Sequence, residues 1–145
     1  MRINVFILIF SIVFFQSCSK SNAKIKDVET YITNNLNAKI NNKVFVIFSI
    51  NSCHACVDKI LELLDREELI KNTTIILSGY SKKQLKISFN KIPIGIEVLY
   101  DLENSNFAKK YLTSSKSIIY SKKENIFLHF DYTEVDEALL YLESL

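Results

Sequence analysis

The feature that most constrains the fold is the stretch of residues 44–65, which joins a strand pattern to a helix pattern through two cysteines. Residues 44–50 (VFVIFSI) are an apolar, β-branched and aromatic run of strand length. Residues 57–64 place apolar side chains at the spacing of one helical face. Cys53 and Cys56 lie between these two patterns. The sequence therefore predicts a buried strand, a turn and a helix, with both thiols where the helix begins.

The N-terminus of a helix favours a reactive thiol. Its first N–H groups have no partner within the helix and its dipole is positive there, so a thiolate is stabilised relative to a thiol. We expect Cys53, at the helix mouth, to be the exposed nucleophile. Cys56, one turn further on, is expected to be more buried and to close a disulfide onto Cys53. A disulfide across so short a loop removes little chain entropy, which favours a redox role over a structural one.

The N-terminal segment has the pattern of an export signal. Residues 1–17 combine a positively charged start with an apolar run, 5–15, that is too short to span a bilayer comfortably. Cys18 follows in the order of a bacterial lipoprotein signal, so it is the expected lipidation site. We predict a signal peptide at 1–17, a tether at 18–24 and one domain at 25–145. The expected location is the cell envelope, lipid-anchored in a bacterial membrane and facing the periplasm or the exterior.

Composition narrows the classes of partner. The chain has 18 basic and 16 acidic side chains, and removal of residues 1–17 would take away one arginine and no acid. The net charge of the remaining chain is then close to zero and shows no basic patch, so nucleic acid is not an expected partner. Two glycines and one proline are few for an all-β protein and favour helices and strands with short connections. Export would also place Cys53 and Cys56 where disulfides form and persist.

The pattern along the domain alternates helices and strands. Helices are expected at 25–39, 54–64, 82–90 and 104–112, strands at 44–50, 72–78 and 96–101, and a hairpin at 117–121 and 126–130. Thr133 is expected to cap a final helix. Strand–helix–strand units imply a parallel core, and the terminal hairpin adds antiparallel strands.

The strand, the sequence Ser-Cys-His-Ala-Cys and the following helix resemble the active-site element of the thioredoxin-like fold. Within that fold the chain looks most like the membrane-tethered TlpA/ResA-type thiol–disulfide oxidoreductases, over roughly residues 40–145. Residues 97–111 look like the strand–helix insertion of that family, with its "v-l-x-D…f-a-x-x-y" segment. The resemblance implies an α/β fold, a three-layer α/β/α sandwich with a mixed central sheet.

The resemblance also implies a reaction. Cys53 would attack a substrate disulfide, and Cys56 would resolve the mixed disulfide. The expected partners are thiols and disulfides of exported proteins and a redox partner in the membrane, and neither a metal nor an organic cofactor is expected. Proteins of this type are mostly reductants. His54 favours the oxidant direction if its imidazolium lies near Cys53, since it would stabilise the thiolate, and has little effect if the ring points to solvent.

The chain departs from the thioredoxin-like pattern at the loop that faces the cysteines. A cis-proline commonly precedes the first hairpin strand there, and its loop carries substrate-binding backbone. The corresponding loop, 113–117, has no proline, and Ser115 and Lys116 are nearest to that position. A non-proline cis bond costs about 3 kcal/mol, so we expect trans peptide bonds in this loop. The chain also has no tryptophan before the first cysteine.

Three other functions fit parts of the pattern. A lipoprotein that binds or assembles without catalysis would account for the missing proline and tryptophan. A peroxiredoxin-type peroxidase would need a threonine and a proline ahead of the first cysteine, where Asn51 and Ser52 stand instead. A closed zinc site would need two ligands besides the cysteines, and only His54 and His129 are left over.

Overall fold

The computed structural model describes residues 22–41, 43–103, 105–113 and 115–145. The predicted signal peptide and Cys18 lie outside the described residues. The elements are α1 (22–30, continued by the π-helical turn Tyr31–Asn35), β1 (Val44–Ser49), α2 (His54–Leu64), α3 (Glu67–Asn72), β2 (Thr73–Ser78), α4 (Lys82–Ser88), β3 (Glu97–Asp101), α5 (Asn106–Tyr111), β4 (Ser117–Ser121), β5 (Ile126–Phe130) and α6 (Val135–Glu143). Among these elements, no helix is long and apolar enough to cross a membrane.

The five strands form one mixed sheet in the order β3-β2-β1-β4-β5. Strands β1, β2 and β3 are parallel, β4 is antiparallel to β1, and β5 is antiparallel to β4. The carboxyl ends of β1, β2, β3 and β5 therefore meet the start of β4 at one edge of the sheet. The loop that carries the cysteines leaves β1 at this edge.

Helices cover both faces of the sheet. Every residue of β1 is buried, with alternate side chains on opposite faces, as expected for a central strand covered on both sides. On one face, Val46 and Phe48 pack with the apolar residues of α2, α3, α4 and α6. On the other face, Phe45 and Ile47 pack with α1 and α5. The predicted fold class, a three-layer α/β/α sandwich with a mixed central sheet, is confirmed.

A buried carboxylate links β3 and α5 to the rest of the domain. Asp101, the last residue of β3, is 4% exposed. Its Oδ2 atom accepts hydrogen bonds from Tyr31 Oη at 3.1 Å, Ser78 Oγ at 3.1 Å and Ser105 Oγ at 2.9 Å. Burial, and then the negative charge of Asp101, raise the pKa of Tyr31 far above its usual value. One carboxylate thus joins β3 to α1, β2 and the start of α5.

The first helix differs from its predicted bounds at both ends. Residues 22–24, assigned to the tether, are already helical. Alanine and lysine are good helix formers, and Lys24 Nζ also lies 5.7 Å from the centre of the Phe127 ring. The helix ends before residue 39 because Asn37 adopts a left-handed φ of +50°, a conformation that terminates helices.

One helix was not predicted, and one predicted helix cap needs correction. Residues 67–72 form a separate helix, α3, because Arg66 is extended between α2 and α3 and two glutamates favour the new helix N-terminus. The predicted capping of the last helix by Thr133 is wrong. The Thr133 hydroxyl instead donates to Asp131 Oδ1 at 2.7 Å, and Glu134 occupies the N-cap position without a side-chain bond.

Candidate active site

The candidate site is the junction between β1 and α2. Cys53 is the N-cap residue of α2, and its sulfur accepts a hydrogen bond from the Cys56 N–H at 3.4 Å. The two residues are joined as a disulfide with their Cα atoms 5.3 Å apart. Cys53 is half-buried, whereas Cys56 is 4% exposed. The sequence therefore predicted both the position of the pair and the difference in exposure.

Three buried serines hold the loop before Cys53. Ser52 Oγ accepts a hydrogen bond from the Ser49 N–H at 2.9 Å, and the Ser52 N–H donates to the Ser49 carbonyl at 2.9 Å. The Ser117 hydroxyl, on the first residue of β4, donates to Ser52 Oγ at 3.1 Å. Ser52 and Ser117 are 4% and 2% exposed. A hydroxyl pair inside the protein thus connects the cysteine loop to the hairpin.

The loop that lacks the proline lies directly against Cys53. The Ser115 carbonyl accepts the Cys53 N–H at 3.4 Å, and Ser115 has a φ of +64°, in the left-handed region. The Lys116 N–H donates to the Thr113 carbonyl at 3.2 Å, and the Lys116 Nζ atom lies 3.9 Å from Asp131 Oδ2. No peptide bond between described residues is cis. Of the two residues predicted nearest to the proline position, Ser115 contacts Cys53 through its backbone, and Lys116 contacts Asp131 just after β5.

The two histidines are in different environments. His54 is the first residue of α2 and is exposed. His129 lies half-buried on β5, and its Nε2 atom is 2.6 Å from the Tyr111 carbonyl at the end of α5. Burial lowers the pKa of His129 despite this hydrogen bond. His129 is thus a strand residue that connects β5 to α5.

An ion pair between Lys116 and Asp131 joins the Ser115 loop to the residue that follows β5. The Thr133 hydroxyl, the Thr133 N–H and the Lys116 ammonium hold the pKa of Asp131 below its usual value, so Asp131 stays ionised beside Lys116. Across the described ranges, no three His, Cys, Asp or Glu side chains are grouped so that they could hold a metal ion.

The arrangement of strands and cysteines decides the type of fold. The central parallel strand leads into the helix that begins at the cysteine pair, and an antiparallel hairpin follows on the side of β1 opposite β2. The chain has a thioredoxin-like fold. Strand β3 and helix α5 lie between β2 and the hairpin in the chain, where the sequence predicted an insertion, and β3 forms one edge of the sheet.

Comparisons with known proteins give two similar solved structures. A thioredoxin-like protein from Bacteroides caccae shares 19% identity at a TM-score of 0.47 over 71% of this chain, and this chain spans 40% of that protein. AhpC of Mycobacterium tuberculosis shares 16% identity at a TM-score of 0.45, over 71% of this chain and 73% of that one. No family model and no curated protein matches the sequence.

The serines are the site residues that sequence reasoning missed. Ser52 directly precedes Cys53, and Ser117 opens an otherwise apolar strand pattern, so each is a polar residue at the end of a buried run. The sequence signal that could have identified the two serines is therefore a polar residue next to an apolar strand pattern. Their pairing joins residues 65 positions apart, and no local pattern indicates such a contact.

Proposed function

We propose that this chain is a thiol–disulfide oxidoreductase that exchanges disulfides with other proteins through Cys53 and Cys56. The observation that carries the proposal is the disulfide between these residues at the N-terminus of α2. Helix N-termini stabilise thiolates, and the half-buried Cys53 is the sulfur of the pair more open to a partner. A disulfide that closes so short a loop is a poor structural crosslink.

The exchange needs only the two thiols and a partner disulfide. The Cys53 thiolate attacks one sulfur of the partner disulfide, which forms a mixed disulfide and releases the other partner sulfur as a thiolate. Cys56 then loses its proton and attacks Cys53, which forms the Cys53–Cys56 disulfide and releases the second partner thiolate. Two electrons pass from this chain to the partner, and the released thiolates take up protons. The reverse sequence oxidises a partner dithiol.

The finer proposal is a lipid-anchored TlpA/ResA-type protein of the bacterial cell envelope. Its support is the sequence pattern at 1–18 together with the β3–α5 insertion. The partners would then be exported proteins and a membrane redox protein. We favour reduction of partner disulfides, because proteins of this type are mostly reductants and His54 is exposed to solvent, where its charge is screened.

The reduction potential of the Cys53–Cys56 pair tests this proposal. The purified chain, with Cys18→Ser so that only the pair reacts, is equilibrated against glutathione buffers and the oxidised fraction is measured. A value near about −270 mV, that of thioredoxin, supports a reductant, and one near about −120 mV, that of DsbA, supports an oxidant. Absence of a reversible disulfide at every buffer ratio would refute the oxidoreductase proposal.

A second candidate is a thioredoxin-like binding or assembly module without catalysis. The observation that favours it is the loop at 113–117, whose Ser115 carbonyl bonds to Cys53 rather than facing outward. Replacement of both Cys53 and Cys56 by serine in cells separates the two functions. An oxidoreductase loses its biological activity with this change, and a binding module keeps it.

A further inference from the structure

The buried contact between Ser52 and Ser117 is the second link between the cysteine loop and the hairpin. The first is the backbone bond from the Cys53 N–H to the Ser115 carbonyl. Ser52 and Cys53 are adjacent, and Ser115 lies two residues before Ser117. The two short segments are therefore joined at both ends, once by hydroxyl groups 3.1 Å apart and once by backbone.

Burial of two hydroxyl groups away from water costs free energy unless the groups are hydrogen-bonded. The Ser52 oxygen accepts two hydrogen bonds, because it also accepts the Ser49 N–H at the end of β1. The pair therefore has one preferred geometry, and this geometry fixes the backbone that enters Cys53. The sulfur of Cys53 must sit over the Cys56 N–H to accept its hydrogen bond at 3.4 Å, so a small shift of that backbone weakens the contact.

We propose that Ser52 and Ser117 are positioning residues for disulfide exchange, and this inference rests on the function proposed above. Their hydroxyl pair holds Cys53 at the N-terminus of α2, where its thiolate receives the Cys56 N–H and the positive end of the helix dipole. The pair supplies a side-chain link between the cysteine loop and the hairpin loop, whose sequence lacks the proline of related folds. No step of the reaction passes through either hydroxyl.

The test measures the reactivity of the Cys53 thiolate as a function of pH. Full chains in detergent carry Cys18→Ser and Cys56→Ser, so that iodoacetamide reports on Cys53 alone. Ser117→Ala should shift the midpoint of alkylation to higher pH and slow alkylation at a fixed pH below the midpoint by roughly three- to tenfold, the change in thiolate fraction for a displacement of about half to one pH unit. With both cysteines present, the reduction potential of Ser117→Ala should become more negative, because the reduced form loses thiolate stabilisation.

The chain offers a matched control on the same strand. Ser121 is the last residue of β4, is also 2% exposed and lies at the far end from the cysteines. Ser121→Ala should leave both the alkylation midpoint and the potential at their wild-type values. Ser117→Thr keeps the hydroxyl and should restore the wild-type midpoint, which a purely steric role of Ser117 would not predict.

The outcomes separate this inference from the proposed function. If the wild-type pair forms no reversible disulfide, the proposed function fails and the positioning role fails with it. If the wild-type pair is reversible and Ser117→Ala has the midpoint of Ser121→Ala, only the positioning role is overturned. Ser52→Ala removes the other end of the same contact and decides the question by the same midpoint if Ser117→Ala does not fold.

Discussion

At the scale of single residues, the two cysteines occupy unequal positions. Cys53 is half-buried at the helix N-cap, and Cys56 is buried as part of the apolar face of α2. An external disulfide can therefore approach the sulfur of Cys53 more easily than that of Cys56. This inequality favours the proposed roles, in which Cys53 attacks and Cys56 resolves the mixed disulfide.

Removal of the resolving thiol should trap the intermediate. In a Cys18→Ser background, Cys56→Ser incubated with glutathione disulfide should accumulate one glutathione adduct on Cys53, because no second thiol releases it. The measurement is intact mass spectrometry over time. Cys53→Ser is the matched control and should form its adduct at least several-fold more slowly. Equal rates for the two variants would contradict the assigned roles.

The exposure of His54 limits its electrostatic effect. Because charges in water interact weakly, an exposed imidazolium should change the energy of a nearby thiolate only slightly. We expect His54→Gln to change the reduction potential of the pair by less than about 20 mV at neutral pH. Equilibration against glutathione checks this value. A much larger negative change would show that the ring lies against the Cys53 sulfur in the reduced protein.

At the residue scale, the sequence predicted what is local and missed what is distant. Cys53, Cys56 and the helix that follows belong to one short stretch, so spacing was sufficient to assign their positions. The contact of Ser52 with Ser117 depends on how β4 is placed beside β1. The direction of the Ser115 carbonyl depends on a left-handed residue that is not a glycine, and no residue preference predicts that conformation.

At the scale of elements, the Asp101 carboxylate holds β3 and α5 against the rest of the domain. Asp101→Ala would leave the hydroxyls of Tyr31, Ser78 and Ser105 without their acceptor inside the protein. We expect the free energy of unfolding to fall by roughly 2–4 kcal/mol, measured by urea denaturation.

A control for this change lies at the other end of β3. Glu97 contacts Lys43 and Thr74, each at 2.8 Å, but its side chain is 52% exposed. Glu97→Ala should therefore lower the free energy of unfolding by less than about 1 kcal/mol. Equal losses for Asp101→Ala and Glu97→Ala would contradict the role assigned to Asp101.

The burial of His129 on β5 should make stability depend on pH. Burial lowers the pKa of His129 below its ordinary value of 6.5, so the unfolded chain takes up the proton more readily than the folded chain. Stability from this residue is complete above pH 6.5 and is lost as the pH falls toward the folded pKa. We expect the urea midpoint to decrease between pH 7.5 and pH 5.5 in wild type and to decrease less in His129→Gln. Parallel curves would show that His129 does not contribute.

Element boundaries were predictable where one physical signal dominates. The helix expected at 82–90 is one example: Leu85 and Phe89, four residues apart, are both buried, and Ser81 caps α4 through the Gln84 N–H. The separate helix α3 was not predicted, because its start depends on the extended backbone of Arg66. The Thr133 cap was wrong because the helix begins at Val135 with Glu134 at the N-cap, and the Thr133 hydroxyl donates to Asp131 instead.

At the scale of the whole molecule, the alternation of strands and helices was sufficient to predict the sheet. Parallel neighbours need a crossover helix and antiparallel neighbours need only a turn, so α4 joins parallel strands and the turn at 122–125 joins antiparallel ones. The edge position of β3 is less local, since it depends on pairing with β2 rather than on a pattern within the strand. This topology puts the cysteine loop and the Ser115 loop at the same edge of the sheet.

The whole chain also carries a prediction about the membrane, independent of the redox chemistry. If Cys18 is the lipidated residue, the full chain expressed in a bacterium should incorporate a labelled fatty acid, detected on a denaturing gel. Cys18→Ser should abolish the label, whereas Cys53→Ser, which removes a different thiol, should retain it. Each buried methylene of an acyl chain adds about 0.8 kcal/mol of membrane affinity, so the labelled chain should also sediment with membranes. A label that persists in Cys18→Ser would show that another residue is acylated, and the proposed envelope anchor would then have to be reassigned.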